Sequence, residues 1–201
     1  MADLKASPSD SRYVPLTQQP DCCVPTCIQM VMYKNDIPLI PAEEIGYHLG
    51  LIVHPDKTGL YYKVRTAEVP PPAGYGTQVY LPEYEPNIAL RKLGIPLKFS
   101  KKLLLGIKTS EDLLNNLKAI EDKNGDALLC FNHGELIDNK SKNWGHVVVF
   151  DRVIDEQIRI IDPSPDKPKW RSVTAEKMFS AMRKHGEQKS AGIWLLEKLD
   201  S

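Results

Sequence analysis

The chain has 201 residues, enough for one full-sized domain with a substantial core, and a second large domain is not expected. Its 26 lysine and arginine residues equal its 26 aspartate and glutamate residues, which argues against a general electrostatic affinity for nucleic acid or an anionic membrane. No apolar run approaches the roughly 18 residues of a membrane span. Met1 to Arg12 is polar and lacks a signal-peptide core. The expected location is therefore the cytosol, with export by a route lacking a cleaved signal left open.

Residues 1–12, rich in Ser, Asp and Lys, read as a disordered arm, and residues 13–201 as a single domain. Tyr13 to Leu16 is a short extended piece held out of helix by Pro15. The first strong helix runs from about Val24 to Lys34. Pro25 is acceptable only in a first turn, which puts the helix start within a residue or two of Cys23. A second helix covers Pro41 to Leu49, with Glu43 and Glu44 in its first turn and Gly50 past its end. From 51 to 82 the pattern is irregular, and Val69-Pro70-Pro71-Pro72-Ala73-Gly74 cannot be regular structure. So long a loop in a compact domain reads as a functional flap or edge excursion.

A helix follows near Glu85–Leu93, stopped by Gly94, then an edge strand over Ile95–Phe99 that tolerates Pro96. Ser110 to Ile120 is a helix capped by Thr109 or Ser110. Ala127–Phe131 is a buried strand. Residues 146 to 162 form a hairpin with Ile154-Asp155-Glu156-Gln157 at its turn. A helix over Thr174–His185 and a strand over Ala191–Leu196 complete the chain. Helices first and a mostly antiparallel sheet afterwards give an α+β fold class.

The chemistry-bearing residues sit at element ends. His146 opens the first strand of the hairpin and Asp162 closes the second. If the hairpin centre falls near residue 154 or 155, the two face each other or nearly so, about 5 Å apart, which suits a carboxylate orienting an imidazole. Cys22 and Cys23 lie at the start of the first helix, where unpaired N–H groups and the dipole favour thiolate. An imidazole lowers a thiol pKa further and can carry its proton. The thiol's own backbone N–H and an amide from Gln18 or Gln19 offer an oxyanion hole.

These residues resemble a known group. Asp21-Cys22-Cys23-Val24-Pro25-Thr26-Cys27-Ile28-Gln29-Met30-Val31, then Gly145-His146-Val147-Val148-Val149, then Asp162-Pro163, are similar to the papain-like fold. Within it they most resemble the bacteriocin-leader-processing cysteine peptidases and their stand-alone relatives. The resemblance spans roughly residues 13 to 163, and its specific part is some twenty residues. It implies N-terminal helices packed on a mostly antiparallel sheet and a Cys-His-Asp triad that forms a thioacyl intermediate. Two departures stand out. The family usually has glycine after its nucleophile, and aligning on Cys27 and Met30 makes Cys23 the nucleophile with Val24 in the glycine place. Aligning on Asp21 would choose Cys22. The glutamine also lies nearer the nucleophile than in the transporter-linked peptidases, which leaves Gln18 and Gln19 both open.

Each residue also has a plainer reading. Free cysteines are commonly core residues, and Cys27 and Cys130 read that way. Four cysteines, three of them crowded at one helix start, do not make a disulfide framework, and no second Cys/His pair completes a zinc site. No cofactor is expected. His48, His54 and His185 read as helix-end or loop residues; His133 follows a strand and could approach the cleft. Trp144, Trp170 and Tyr75 could wall a site or simply pack. The function expected is hydrolysis of a peptide or amide bond in a peptide or protein substrate. The alternatives are an acyltransferase of the same fold, like transglutaminases or phytochelatin synthases, and an impaired binding module.

Overall fold

Helix α1, Cys23–Lys34, begins where its proline requires: Pro25 lies in the first turn, where a missing N–H breaks no helical bond. Val24, Cys27, Ile28, Val31 and Met32 of this helix are buried. The structure, a computed structural model, describes residues 8–165 and 169–199. Of the arm expected over 1–12, residues 1–7 lie outside the described part. Within the remainder, Arg12 donates its backbone N–H to Asp151 Oδ1 at 2.8 Å and its Nη1 to Asp151 O at 3.0 Å.

Helix α2, Ala42–His48, starts after Pro41 and carries Glu43 and Glu44 in its first turn, where acidic side chains meet the positive dipole end. The irregular segment follows. It holds two short parallel strands, β1 (Ile52–Val53) and β2 (Arg65–Thr66), separated by a 3-10 turn over Pro55–Leu60. Gly76 has φ +113°, and a Cβ there would stand 3.3 Å from the Asp21 carbonyl. The glycine thus lets this segment approach the backbone just before α1. Helix α3, Pro86–Lys92, is capped by the Glu85 side chain.

The remaining strands are β3 (Leu97–Leu103), β4 (Asp126–Asn132), β5 (Gly145–Ile154), β6 (Gln157–Ile161), β7 (Trp170–Thr174) and β8 (Gly192–Lys198). They form an antiparallel sheet in the order β3-β8-β4-β5-β6-β7. β3 is an edge, as Pro96 suggested, and it carries Lys98, Lys101 and Lys102, side chains that discourage pairing with another chain. Helix α4, Ser110–Asp122, has the Thr109–Asp112 capping box. The one-turn helix α5, His133–Leu136, follows β4, and α6, Ala175–His185, follows β7.

The sheet is covered on both faces, which is more than N-terminal helices alone could do. α1, α2 and α3 pack with Leu128, Cys130, Val147, Val149 and Ile161 on one face. α4 and α6 pack with Leu129, Phe131, Val148, Phe150 and Ile160 on the other. That explains why β4 reads as an unbroken apolar run rather than an alternating one. The fold is α+β with helices flanking an antiparallel sheet.

Candidate active site

The β5–β6 hairpin sets the imidazole against the carboxylate. Its turn is Asp155-Glu156, both with positive φ (48° and 61°), as a two-residue type I′ connection demands. The hairpin centre therefore falls between 155 and 156, later than the 154 or 155 read from the sequence. Pairing runs Ile154↔Gln157, Val153↔Ile158 and Arg152↔Arg159, then shifts by one residue to Phe150↔Ile160 and Val149↔Ile161. This bulge at Asp151 decides the site. Carried on, the shifted register sets Asp162 opposite Val148, on the same face as His146; unshifted, it would oppose Val149 on the other face.

The resulting contact is close. His146 Nε2 lies 2.8 Å from Asp162 Oδ1, with His146 5% exposed and Asp162 fully buried. An ionised carboxylate only accepts, so Nε2 carries the proton in this bond, and Nδ1 is left to face the thiol. Asp162 is further held by the backbone N–H of Ser164 at 3.0 Å and by Arg171 Nη1 at 3.1 Å. The Ser164 contact is the turn an aspartate makes with the residue two positions on. Burial by itself would pull the imidazole pKa down. Hydrogen bonding and electrostatic attraction from Asp162 and Cys23 outweigh it and hold His146 up at about 10. Burial likewise works to raise Asp162, but His146 and Ser164 outweigh it and leave the carboxyl well below its usual range.

The helix start separates the cysteine doublet. Cys22 is fully buried in a small cluster with Leu51, Val53 and Tyr61, and burial pushes its thiol up to about 12. Cys23, the first helical residue, lines a cleft of about 300 Å³ together with Gln18, Trp144, Gly145 and His146. No acidic residue occupies the first turn of α1 and no side chain caps it. The dipole and the N–H groups of Cys23 and Val24 are thus left to anionic sulfur or oxygen. Val24, at the position where the resemblance would place glycine, is 4% exposed; it packs in the core and also lines the narrow space beside Cys23 and His146. Cys27 and Cys130 are buried, with thiols held well above their ordinary values mainly by burial.

The two glutamines also part company. Gln18 lines the cleft, and its backbone N–H donates to Pro163 O at 2.9 Å, tying the segment before the thiol to the aspartate's turn. The Gln19 amide instead donates to Glu43 Oε1 at 2.9 Å. Glu43 Oε2 accepts from the Tyr62 N–H at 3.0 Å. Tyr61 donates its hydroxyl to Pro20 O, and Lys57 pairs with Asp21 at 2.7 Å. The irregular segment thus clamps the loop that leads to Cys23.

Several neighbours were invisible or undecided in the sequence. Trp144 stacks on His133, with ring centroids 5.7 Å apart, and His133 meets His146 edge-on at 4.9 Å. Tyr75 lines the cleft. Trp170 lies away from it, donating its indole N–H to Ser11 Oγ at 2.9 Å. Arg171 and Ser164 gave no signal beyond the Asp162-Pro163-Ser164 turn itself. His185, read as a helix-end residue, packs so tightly on Gly145 that a Cβ there would stand 2.5 Å from its ring. Among the described residues no group of three or more His, Cys, Asp or Glu could hold a metal ion, and no helix is long and apolar enough to cross a membrane.

No model of a known protein family matches the chain, and no curated protein does. A solved structure does: a protein of Bacillus anthracis provisionally described as a C39-like peptidase. It superposes with a TM-score of 0.54 at 18% identity, over 94% of this chain and 97% of that one. The chain has the papain-like fold of a C39-like peptidase. At this identity the likeness speaks for the fold. In that fold the helix start bearing Cys23 faces the strand start bearing His146 across the cleft.

Proposed function

We propose that this protein is a cysteine hydrolase that cleaves a peptide or amide bond in a peptide or protein substrate. The observation that carries the reading is the buried 2.8 Å bond from His146 to Asp162 beside a helix-start cysteine in one cleft. Cys23 thiolate attacks the scissile carbonyl carbon. The new oxyanion is met by the Cys23 backbone N–H and the Gln18 amide. His146, held as imidazolium by Asp162, gives its proton to the departing amine, and the C–N bond breaks to leave a thioester on Cys23. Water then attacks the thioester while His146 takes a proton from it. The acid leaves, and the thiolate–imidazolium pair is restored.

Three features support these roles. Asp162 accepts from Nε2 and so orients the ring with Nδ1 toward the thiol. Cys22 is closed off by burial, whereas Cys23 is not. Gln19 is engaged by Glu43, whereas Gln18 lines the cleft. Active-site titration with iodoacetamide, read by mass spectrometry, tests the reading: Cys23 should label far faster than Cys22, Cys27 and Cys130, and the fast phase should vanish in Cys23→Ala. Equal, slow labelling of all four would sink it.

A further inference from the structure

Past Trp144 and Gly145 the cleft continues into a second cavity of about 410 Å³. Pro70 to Gly74 of the irregular segment form one wall. Asn132, Asn143, Trp144 and the C-terminal end of α6 form the other. Gly145, His185 and Lys189 also line the narrow space against Cys23 and His146, so the cavity communicates with the thiol. Gly145 cannot carry a side chain here, because His185 already fills the space a Cβ would take.

The charge of this cavity is one-sided. Lys184 and Lys189 line it, and no carboxylate does among the described residues. Neither lysine has an ion-pair partner among the described residues. His185 between them is neutral at ordinary pH, since burial and the nearby Lys189 push it down to about 4. Lys184 also lines a neighbouring cavity that holds Glu135 and Asp138, whose direct partners are Ser180 and Lys177. Lys57, on the opposite wall of the cleft, is already neutralised by Asp21. Asn143 accepts from Asn132 at 2.8 Å through its carbonyl oxygen, leaving its NH2 group as a further donor. Two ammonium groups without an ion-pair partner among the described residues and an amide donor beside an indole wall are the complement of a carboxylate on a short side chain.

We propose that this cavity is a specificity subsite of the Cys23 cleft that takes an aspartate or glutamate side chain near the scissile bond. The inference rests on the hydrolase reading and names the kind of substrate it would select. The test uses trans-epoxysuccinyl peptides bearing Glu or its uncharged isostere Gln on either arm; these alkylate a cleft thiol and reach both sides of it. Alkylation of Cys23 is followed by mass spectrometry in the full chain. The expected result is a Glu-over-Gln rate ratio of about fivefold on one arm at low salt, the scale of one or two screened lysine contacts. The ratio should shrink as salt rises and fall to about one in Lys184→Gln/Lys189→Gln, with the Gln arm as the internal reference in each protein. Alkylation of Cys23 with a ratio near one on both arms overturns the subsite. So does a preference that survives the double substitution, and so does fast iodoacetamide labelling of Cys23 with no reaction by any peptide arm. Failure of iodoacetamide to single out Cys23 overturns the hydrolase reading itself.

Discussion

Asp162→Asn isolates what the buried carboxylate contributes. In the native arrangement Oδ1 accepts from His146 Nε2 and the Ser164 N–H, while Oδ2 accepts from Arg171. An asparagine can keep its carbonyl oxygen on His146, but its NH2 group then meets the Arg171 guanidinium, donor against donor, where the carboxylate contact was 3.1 Å. The imidazolium also loses its counter-charge. His146 stands at about 10 against an ordinary 6.5, and because burial opposes that rise, Asp162 and Cys23 together supply more than the net shift. If Asp162 supplies half, its removal lowers His146 by roughly two units, or about 2.5 kcal/mol. The thiolate–imidazolium pair would be depleted by up to about 100-fold. Two measurements check this: NMR titration of the His146 ring and the iodoacetamide rate at Cys23 near neutral pH. The midpoint should fall by about two units and the rate should drop toward that limit. Asp162→Asn/Arg171→Gln, which places an acceptor opposite the new NH2 group, should recover part of the rate but not the midpoint. An unmoved midpoint in Asp162→Asn would refute the assignment of Asp162 as the group that holds the imidazolium.

Gln18→Ala should slow acylation of Cys23 by about 100-fold, the usual loss on removing one oxyanion donor. Gln19→Ala should cost much less, because its amide is spent on Glu43; equal losses in single-turnover assays would contradict the separation. Cys22→Ala should leave the fast iodoacetamide phase in place while lowering stability by about 1 kcal/mol in urea unfolding, since the side chain is fully buried. Tyr61→Phe, which removes the bond to Pro20 O, should lower stability by about 1 kcal/mol and reduce the Cys23 rate; loss of stability with an unchanged rate would remove the clamp's role at the site. The pair also shapes stability against pH. His146 is raised, so its contribution is complete below its unfolded value of 6.5 and is lost as pH climbs toward about 10. Asp162 is depressed, so its contribution is complete above 3.8 and is lost as pH falls through its folded value. The melting temperature should therefore decline from pH 6.5 upward in the native chain, and this limb should flatten in His146→Gln.

The residues that could be read from sequence are those whose local chemistry forces a place. Pro25 confines the start of α1 to within a residue or two of Cys23, and Ile154 to Gln157 mark the hairpin's turn without fixing its centre; both conclusions rest on a few adjacent residues. The face shared by His146 and Asp162 was also legible, yet the arithmetic behind it was not: the turn lies later than expected, and an odd offset would have split the pair. The bulge at Asp151 restores the parity. Its cause is distant in sequence, because Asp151 Oδ2 receives Arg159 Nε at 2.6 Å and Oδ1 receives the Arg12 N–H. A fully buried carboxylate needs these donors, so Arg12 and Arg159 hold the bulged residue in the place that the pairing of His146 with Asp162 requires.

The same distinction separates the two doublets. Cys22 and Cys23, like Gln18 and Gln19, are neighbours of one residue type, and no local rule can choose between them. The choice is made by the segment over 51–82, whose composition argued only for irregularity. Leu51, Val53 and Tyr61 bury one thiol, the Tyr62 N–H holds the α2 residue Glu43, which accepts one glutamine amide, and Gly76 lets the chain approach Asp21 closely. On the proposed reading, selection of the thiol and of the oxyanion donor is thus a tertiary property of this clamp. It follows that insertions or deletions in the segment should alter reactivity at Cys23 before they unfold the sheet. The clamp contacts the loop that precedes α1, whereas the strands beneath are paired and buried on their own account.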